Sequence, residues 1–155
     1  MSEQKSFNPV DIEIEGYRVL KQSVDCPSSI IDKQSKLAQS IQFKLSKHKE
    51  KNKVKVLFDL GVEANVDGVE GAATCKYVIE YIFNLEKLSD LITPINTDGK
   101  FNIDYALASA LVGIGYSTSR GLLVSFLQGT YFQDFLLPVI DIKNLIAGYP
   151  HIEKK

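Results

Sequence analysis

The sequence predicts an α+β fold: a four-stranded antiparallel sheet with one long and one short C-terminal helix on one face. Two observations predict it. Four segments within residues 10–85 repeat apolar side chains at every second position, and the connections between the last three are too short for parallel crossovers. Residues 103–127 then switch to helical spacing, and strands followed by helices place the helices together over one side of the sheet.

Val10, Ile12 and Ile14 alternate with Asp11, Glu13 and Glu15, as expected of a half-buried first strand. After Gly16 the apolar phase moves to Tyr17 and Val19, so a β-bulge is expected there. Ile41, Phe43 and Leu45 give the second strand its apolar face, with Gln42, Lys44 and Ser46 opposite. A charged turn leads to the third strand, where Val54, Val56, Phe58, Leu60 and Val62 repeat every second residue. Turn formers fill residues 65–71, with Asp67-Gly68 suited to φ > 0. The fourth strand follows, with Cys75, Tyr77, Ile79, Tyr81 and Phe83 on one face. Asp98-Gly99 is expected to turn, and Asn102 to cap a helix that has Asp104 in its first turn. That helix spans Ile103 to Leu127 and stops at Gly129. Asp141 is expected to cap a short second helix, Ile142 to Ala147, ended by Gly148.

The long helix carries no charged residue between Asp104 and Arg120. Ile103, Leu107, Ala110, Leu111 and Ile114 form a stripe expected to pack on the sheet. The opposite side carries Ala108, Val112, Gly115, Tyr116 and Leu123 where polar residues belong, so a second covering surface is expected. Ala106, Ala110, Gly113 and Gly115 permit close approach of another backbone at some expense of helix propensity. An oligomer interface is therefore expected at Ala106, Ala110, Gly113 and Tyr116. The alternative cover is the C-terminal tail or the 86–101 connection.

Composition limits the chemistry. With 45% hydrophobic and 24% charged residues, the 155-residue chain suits one globular domain, with residues 1–8 and 149–155 expected as flexible tails. Its 18 basic and 19 acidic residues nearly cancel, which argues against nucleic acid as a partner. The start is polar and shows no signal peptide. The most apolar stretch, Leu107 to Tyr116, is far short of a membrane span, so no membrane insertion and a cytoplasmic setting are expected. His48 lies in the lysine-rich turn, His151 in the tail, Cys75 on a core face and Cys26 in a loop, so neither a catalytic centre nor a metal site is expected. Gly113-Ile-Gly115 lies inside a helix with Thr118 where a dinucleotide motif needs its third glycine, so no cofactor is implied. Eight lysines between residues 32 and 55 face only Asp32 and Glu50, and lysines along an exposed strand keep a sheet edge from pairing with other chains.

Residues 106–146 resemble the SecB-type protein-export chaperones, most clearly in the run YSTSRGLLVSFLQGTYFQDFLLPVIDIKNLI (Tyr116–Ile146). That run resembles the family's long helix with a Ser-Arg-Gly and Gly-Thr ending, an L-x-P-V linker and a short Asx-capped helix. The fourth strand, from Cys75 to Ile82-Phe83-Asn84-Leu85, is similar to a family strand ending I-F-S-I. The resemblance implies a tetramer, built as a dimer of dimers through the long helices. It implies an ATP-independent holdase, with a role in protein export, that takes unfolded or extended polypeptides into apolar grooves. The positions it implies are Ile30 and Ile31 between the first two strands, Phe135 and Leu137 in the linker, and Ile142, Leu145 and Ile146 on the short helix. Two features depart from the family. Acidic positions used to dock the translocase motor fall on Lys21 and Lys76, leaving only Asp25, and the tail Tyr149–Lys155 is short and basic. These departures do not support motor docking, and they leave open a SecB-like adaptor dedicated to one partner, such as an antitoxin.

Overall fold

Strands β1 (Ile12–Asp25), β2 (Lys36–Lys47), β3 (Lys53–Val66) and β4 (Val69–Leu85) form one antiparallel sheet in the order β1-β4-β3-β2. The computed structural model describes residues 8–95 and 100–153. Burial along the central strand β3 alternates almost without interruption, which buries Val54, Val56, Phe58, Leu60, Val62, Ala64 and Val66 on one face. Opposite them in β4 stand Phe83, Tyr81, Ile79, Tyr77, Cys75 and Ala73. Asp67 (φ 52°) and Gly68 (φ 78°) make the two-residue β3–β4 turn as the sequence predicts, since both central residues must adopt positive φ. β1 pairs with β4 and skips a residue between Ile14 and Gly16, where the bulge is expected, and again between Val19 and Lys21, where none is. β1 also continues to Asp25, well past the alternating segment that marks it in the sequence.

The long helix begins later than its sequence implies. Phe101–Asp104 is a strand, paired through Ile103 with Ile92 of one neighbour and Ile152 of the other. Asp104 therefore caps the helix instead of Asn102, its carboxylate accepting from the Leu107 amide at 3.1 Å. After the short helix α1 (Leu88–Leu91), strands β5 (Ile92–Pro94), β6 (Phe101–Asp104) and β7 (Ile152–Glu153) make a second, small sheet in the order β5-β6-β7. Helix α2 is Tyr105–Leu127, and α3 is Ile142–Ile146, capped as expected by Asp141, which accepts from the Lys143 amide at 2.9 Å. Gly129 follows α2 at φ 73°. The expected Asp98-Gly99 turn lies outside the described residues.

The face that α2 turns to the sheet differs from the expected stripe. Leu107 and Leu111 are buried, but so are Ala108, Val112, Gly115, Tyr116, Ser119 and Leu123, whereas Ala110 and Ile114 sit at the sides. The cause is aromatic bulk on the central strands. A Cβ at Gly115 would lie 2.6 Å from the Phe58 ring and 3.5 Å from that of Tyr81, so the helix presents its smallest residue where the sheet is thickest. The Tyr81 hydroxyl, buried under the helix, shares a 2.8 Å hydrogen bond with Ser119 Oγ. Burial pushes the Tyr81 phenol up to about 12, so it stays neutral. The length and mean hydropathy of α2 would suffice to cross a membrane, but its inner face packs on β3 and β4.

Gly115→Ala should force Phe58 or the helix to shift and cost about 1–3 kcal/mol of stability. Chemical denaturation measures this as a lowered midpoint with an unchanged slope.

Candidate functional site

The described histidines and cysteines do not converge on a common site. His48 sits in the β2–β3 turn, where its Nδ1 accepts from the Glu50 amide at 3.1 Å. His151 is exposed. Cys75 is buried in the sheet, and burial alone pushes its thiol up to about 11, which leaves it a poor nucleophile. Cys26 lies in the β1–β2 connection beside Pro27. Among the described residues no three His, Cys, Asp or Glu side chains are grouped to hold a metal.

The distinctive feature is apolar surface on the segments flanking α2. The α2–α3 linker runs back along the helix, held at three places by polar side chains. Arg120 Nε donates to the Leu137 carbonyl at 2.9 Å, and the Tyr116 hydroxyl donates to the Pro138 carbonyl at 2.7 Å. Farther back, the Tyr131 hydroxyl reaches Ser35 Oγ at 2.9 Å in the β1–β2 connection. This clamping sorts the expected groove residues. Ile30, Phe135, Leu137 and Ile146 are buried within the chain, Ile142 and Leu145 are half-buried, and Ile31 is exposed. Exposure falls instead on positions that sequence reasoning passed over: Leu37, Leu136 (63%) and Val139 (83%). A shallow cleft of about 260 Å³ between α2 and the linker is lined by Ser117, Arg120, Gly121, Val124, Leu136 and Leu137.

The expected interface residues separate in the same way. Ala106 is exposed, and Ala110 and Gly113 are half-exposed, with Ile142 of α3 near Gly113. Tyr116 is the correction: it is buried, facing Phe58 and hydrogen-bonded beneath the linker. The outward strip of α2 is therefore Ala106, Ala110, Ser117, Gly121 and Val124, none of them charged. The segment expected as a flexible tail starts with an anchored residue. Tyr149 stacks on Phe43 with ring centroids 4.7 Å apart, and its hydroxyl accepts from the Leu45 amide at 2.9 Å. Its only signal in the sequence was an aromatic residue next to a proline.

This architecture matches a solved protein. The SecB-like chaperone of Mycobacterium tuberculosis, in complex with a ChAD peptide from the HigA1 antitoxin, superposes with a TM-score of 0.56. The match covers 85% of this chain and 91% of that one at 11% identity. The fold is SecB-like. No family model matches the sequence, and no curated protein matches it by sequence.

In this SecB-like fold the face of the sheet away from α2 carries ion pairs. Glu80, 7% exposed, receives Arg18 at 2.6 Å and Lys55 at 3.5 Å, and Lys76 pairs with Asp59. Burial raises the Glu80 pKa, but the Arg18 hydrogen bond and the Lys55 charge outweigh it and hold the carboxyl below the usual range. Lys76 is thus neutralised locally, and Lys21 is exposed on the edge strand. Neither restores the acidic surface that the family resemblance associates with motor docking.

Because the folded pKa of Glu80 is depressed, its stabilising contribution is present above 4.5, the unfolded value, and is lost as pH falls through the folded value. Arg18→Ala should raise the Glu80 pKa toward or above 4.5 and start acid destabilisation at higher pH. A carboxyl-carbon NMR titration checks the first effect, and denaturation midpoints against pH check the second.

Proposed function

We propose that this chain is an ATP-independent, oligomeric holdase that binds unfolded or extended polypeptide on exposed apolar surface. One observation carries the reading: Ile31, Leu37, Leu136 and Val139 stand exposed around a linker held in place by hydrogen bonds, with no converging polar groups beside them. Burial of apolar area is non-directional, so such a surface accepts many sequences and needs no nucleotide or cofactor. A client segment burying roughly 400 Å² of apolar surface gains about 10 kcal/mol gross at ~25 cal/mol/Å². Ordering the client cancels much of that gain, so several modest sites on one oligomer are needed to hold a chain. The half-buried Ile142 and Leu145, with Ile31, Leu136 and Val139, are the proposed contact residues. Ile30, Phe135, Leu137 and Ile146 form the floor beneath them.

The oligomer is proposed to form on the outward strip of α2, centred on Ala106 and Ala110 with Gly113 at its margin beside α3, with a dimer of dimers as the assembly suggested by the family resemblance. A second reading keeps the same surface but restricts it to one partner. It is favoured by the solved relative, which was captured with an antitoxin peptide.

Excess protein should suppress aggregation of several unrelated denatured clients without nucleotide, and Ile31→Asp should weaken that suppression severalfold at unchanged solution mass. Light scattering reads both. Suppression confined to one client selects the dedicated adaptor, and no suppression rejects the holdase. Ala110→Glu should lower the assembly mass; an unchanged mass rejects the helix interface.

A further inference from the structure

The sheet order leaves β2 as an edge, and one hydrogen bond fixes which of its backbone groups face outward. Leu45 directs both its N–H (2.9 Å) and its C=O (3.4 Å) to the Tyr149 hydroxyl, away from β3. Outward and inward positions alternate along an antiparallel strand, and the β2–β3 register is unbroken from Lys36 to Lys47. Phe43, Ile41, Gln39 and Leu37 therefore point their N–H and C=O groups outward too, and no partner meets them among the described residues. Tyr149 closes this row at one end, and Tyr131, bonded to Ser35, closes it at the other. The open edge between them is about 20 Å long at ~3.3 Å per residue.

Charge selects the occupant. β2 carries Lys36, Lys44 and Lys47 and no carboxylate. At the Tyr149 end lies a cavity of about 470 Å³ with an apolar floor of Leu45, Phe101 and Ile103 and a rim of Lys44, Lys100 and His151. No carboxylate lines it, and no carboxylate among the described residues pairs with Lys44 or Lys100. A second copy of β2 would bring lysines against lysines, so the edge repels its own kind. An acidic strand meets neither obstacle.

We propose that the β2 edge from Leu37 to Phe43 receives an extended acidic polypeptide segment as a fifth strand. An apolar residue at the segment's end sits in the cavity beside Tyr149, and its carboxylates lie against Lys44 and Lys100. The inference rests on the polypeptide-binding reading above and supplies the chemistry of the client. Main-chain hydrogen bonds provide affinity independent of sequence, while the lysine rim provides selection.

The test uses dye-labelled ten-residue peptides that alternate apolar residues with glutamate or with lysine, read by fluorescence anisotropy at low salt. The glutamate peptide should bind about tenfold tighter than the lysine peptide, and Lys44→Glu with Lys100→Glu should reverse the order. N-methylation of alternate amides should cost about fivefold or more in one phase of the alternation and little in the other. Equal binding of the two peptides, or indifference to N-methylation in both phases, overturns the added strand while leaving the holdase reading intact. If the charge-reversed protein instead assembles to a higher mass without peptide, the edge is an interface between copies and the proposal is overturned. If neither peptide binds and denatured clients aggregate unchanged, the holdase reading itself fails.

Discussion

Contact between α2 and the aromatic ridge of the central strands governs the rest of the fold. Phe58 and Tyr81 rise where Gly115 leaves room, and the buried hydroxyls of Tyr81 and Ser119 satisfy each other in that contact. With the helix fixed over β3 and β4, the outer strands are only partly roofed. Ile14, Tyr17 and Val19 of β1 stand on the same face as the core yet stay 39–51% exposed, and Leu37 of β2 does the same on the other flank. One helix is narrower than a four-stranded sheet, and that mismatch creates the apolar margin on which the functional reading rests.

The linker decides how much of the margin survives. An apolar segment as rich as residues 135–142 would collapse onto the core if nothing else held it. Arg120 and Tyr116 fix the Leu137 and Pro138 carbonyls instead, so Phe135 and Leu137 turn inward while Leu136 and Val139 turn out. The hydrogen bonds thus hold apolar side chains at the surface against their tendency to bury. Tyr131 and Tyr149 tie down the chain at the two ends of β2.

Much of this is legible in the sequence. The alternation of the central strand β3, the Asp67-Gly68 turn, the Asp141 cap and the Gly129 stop each rest on local chemistry, and each stands in the structure where it is expected. The orientation of α2 is not legible, because a helix without charges from residue 105 to 119 gives no mark of its outer side. The sequence places the cap at Asn102 with Asp104 in the first turn, and the pairing of Ile103 with Ile92 and Ile152 moves the cap to Asp104. The candidate surface is half legible. Which linker residues face outward depends on side-chain bonds to carbonyls far along the chain, and no periodicity reports those.

The central claim is that the apolar margin beside α2, rather than the ion-paired back of the sheet, is where an unfolded chain is held. Hydrogen exchange with and without a saturating denatured client tests it most directly. Protection should appear in the β1–β2 connection, along β2 and in the α2–α3 linker, with the back of the sheet around Glu80 and Lys76 unchanged in its exchange. Protection confined to that back face, or no change anywhere while the client is demonstrably bound, would contradict the account.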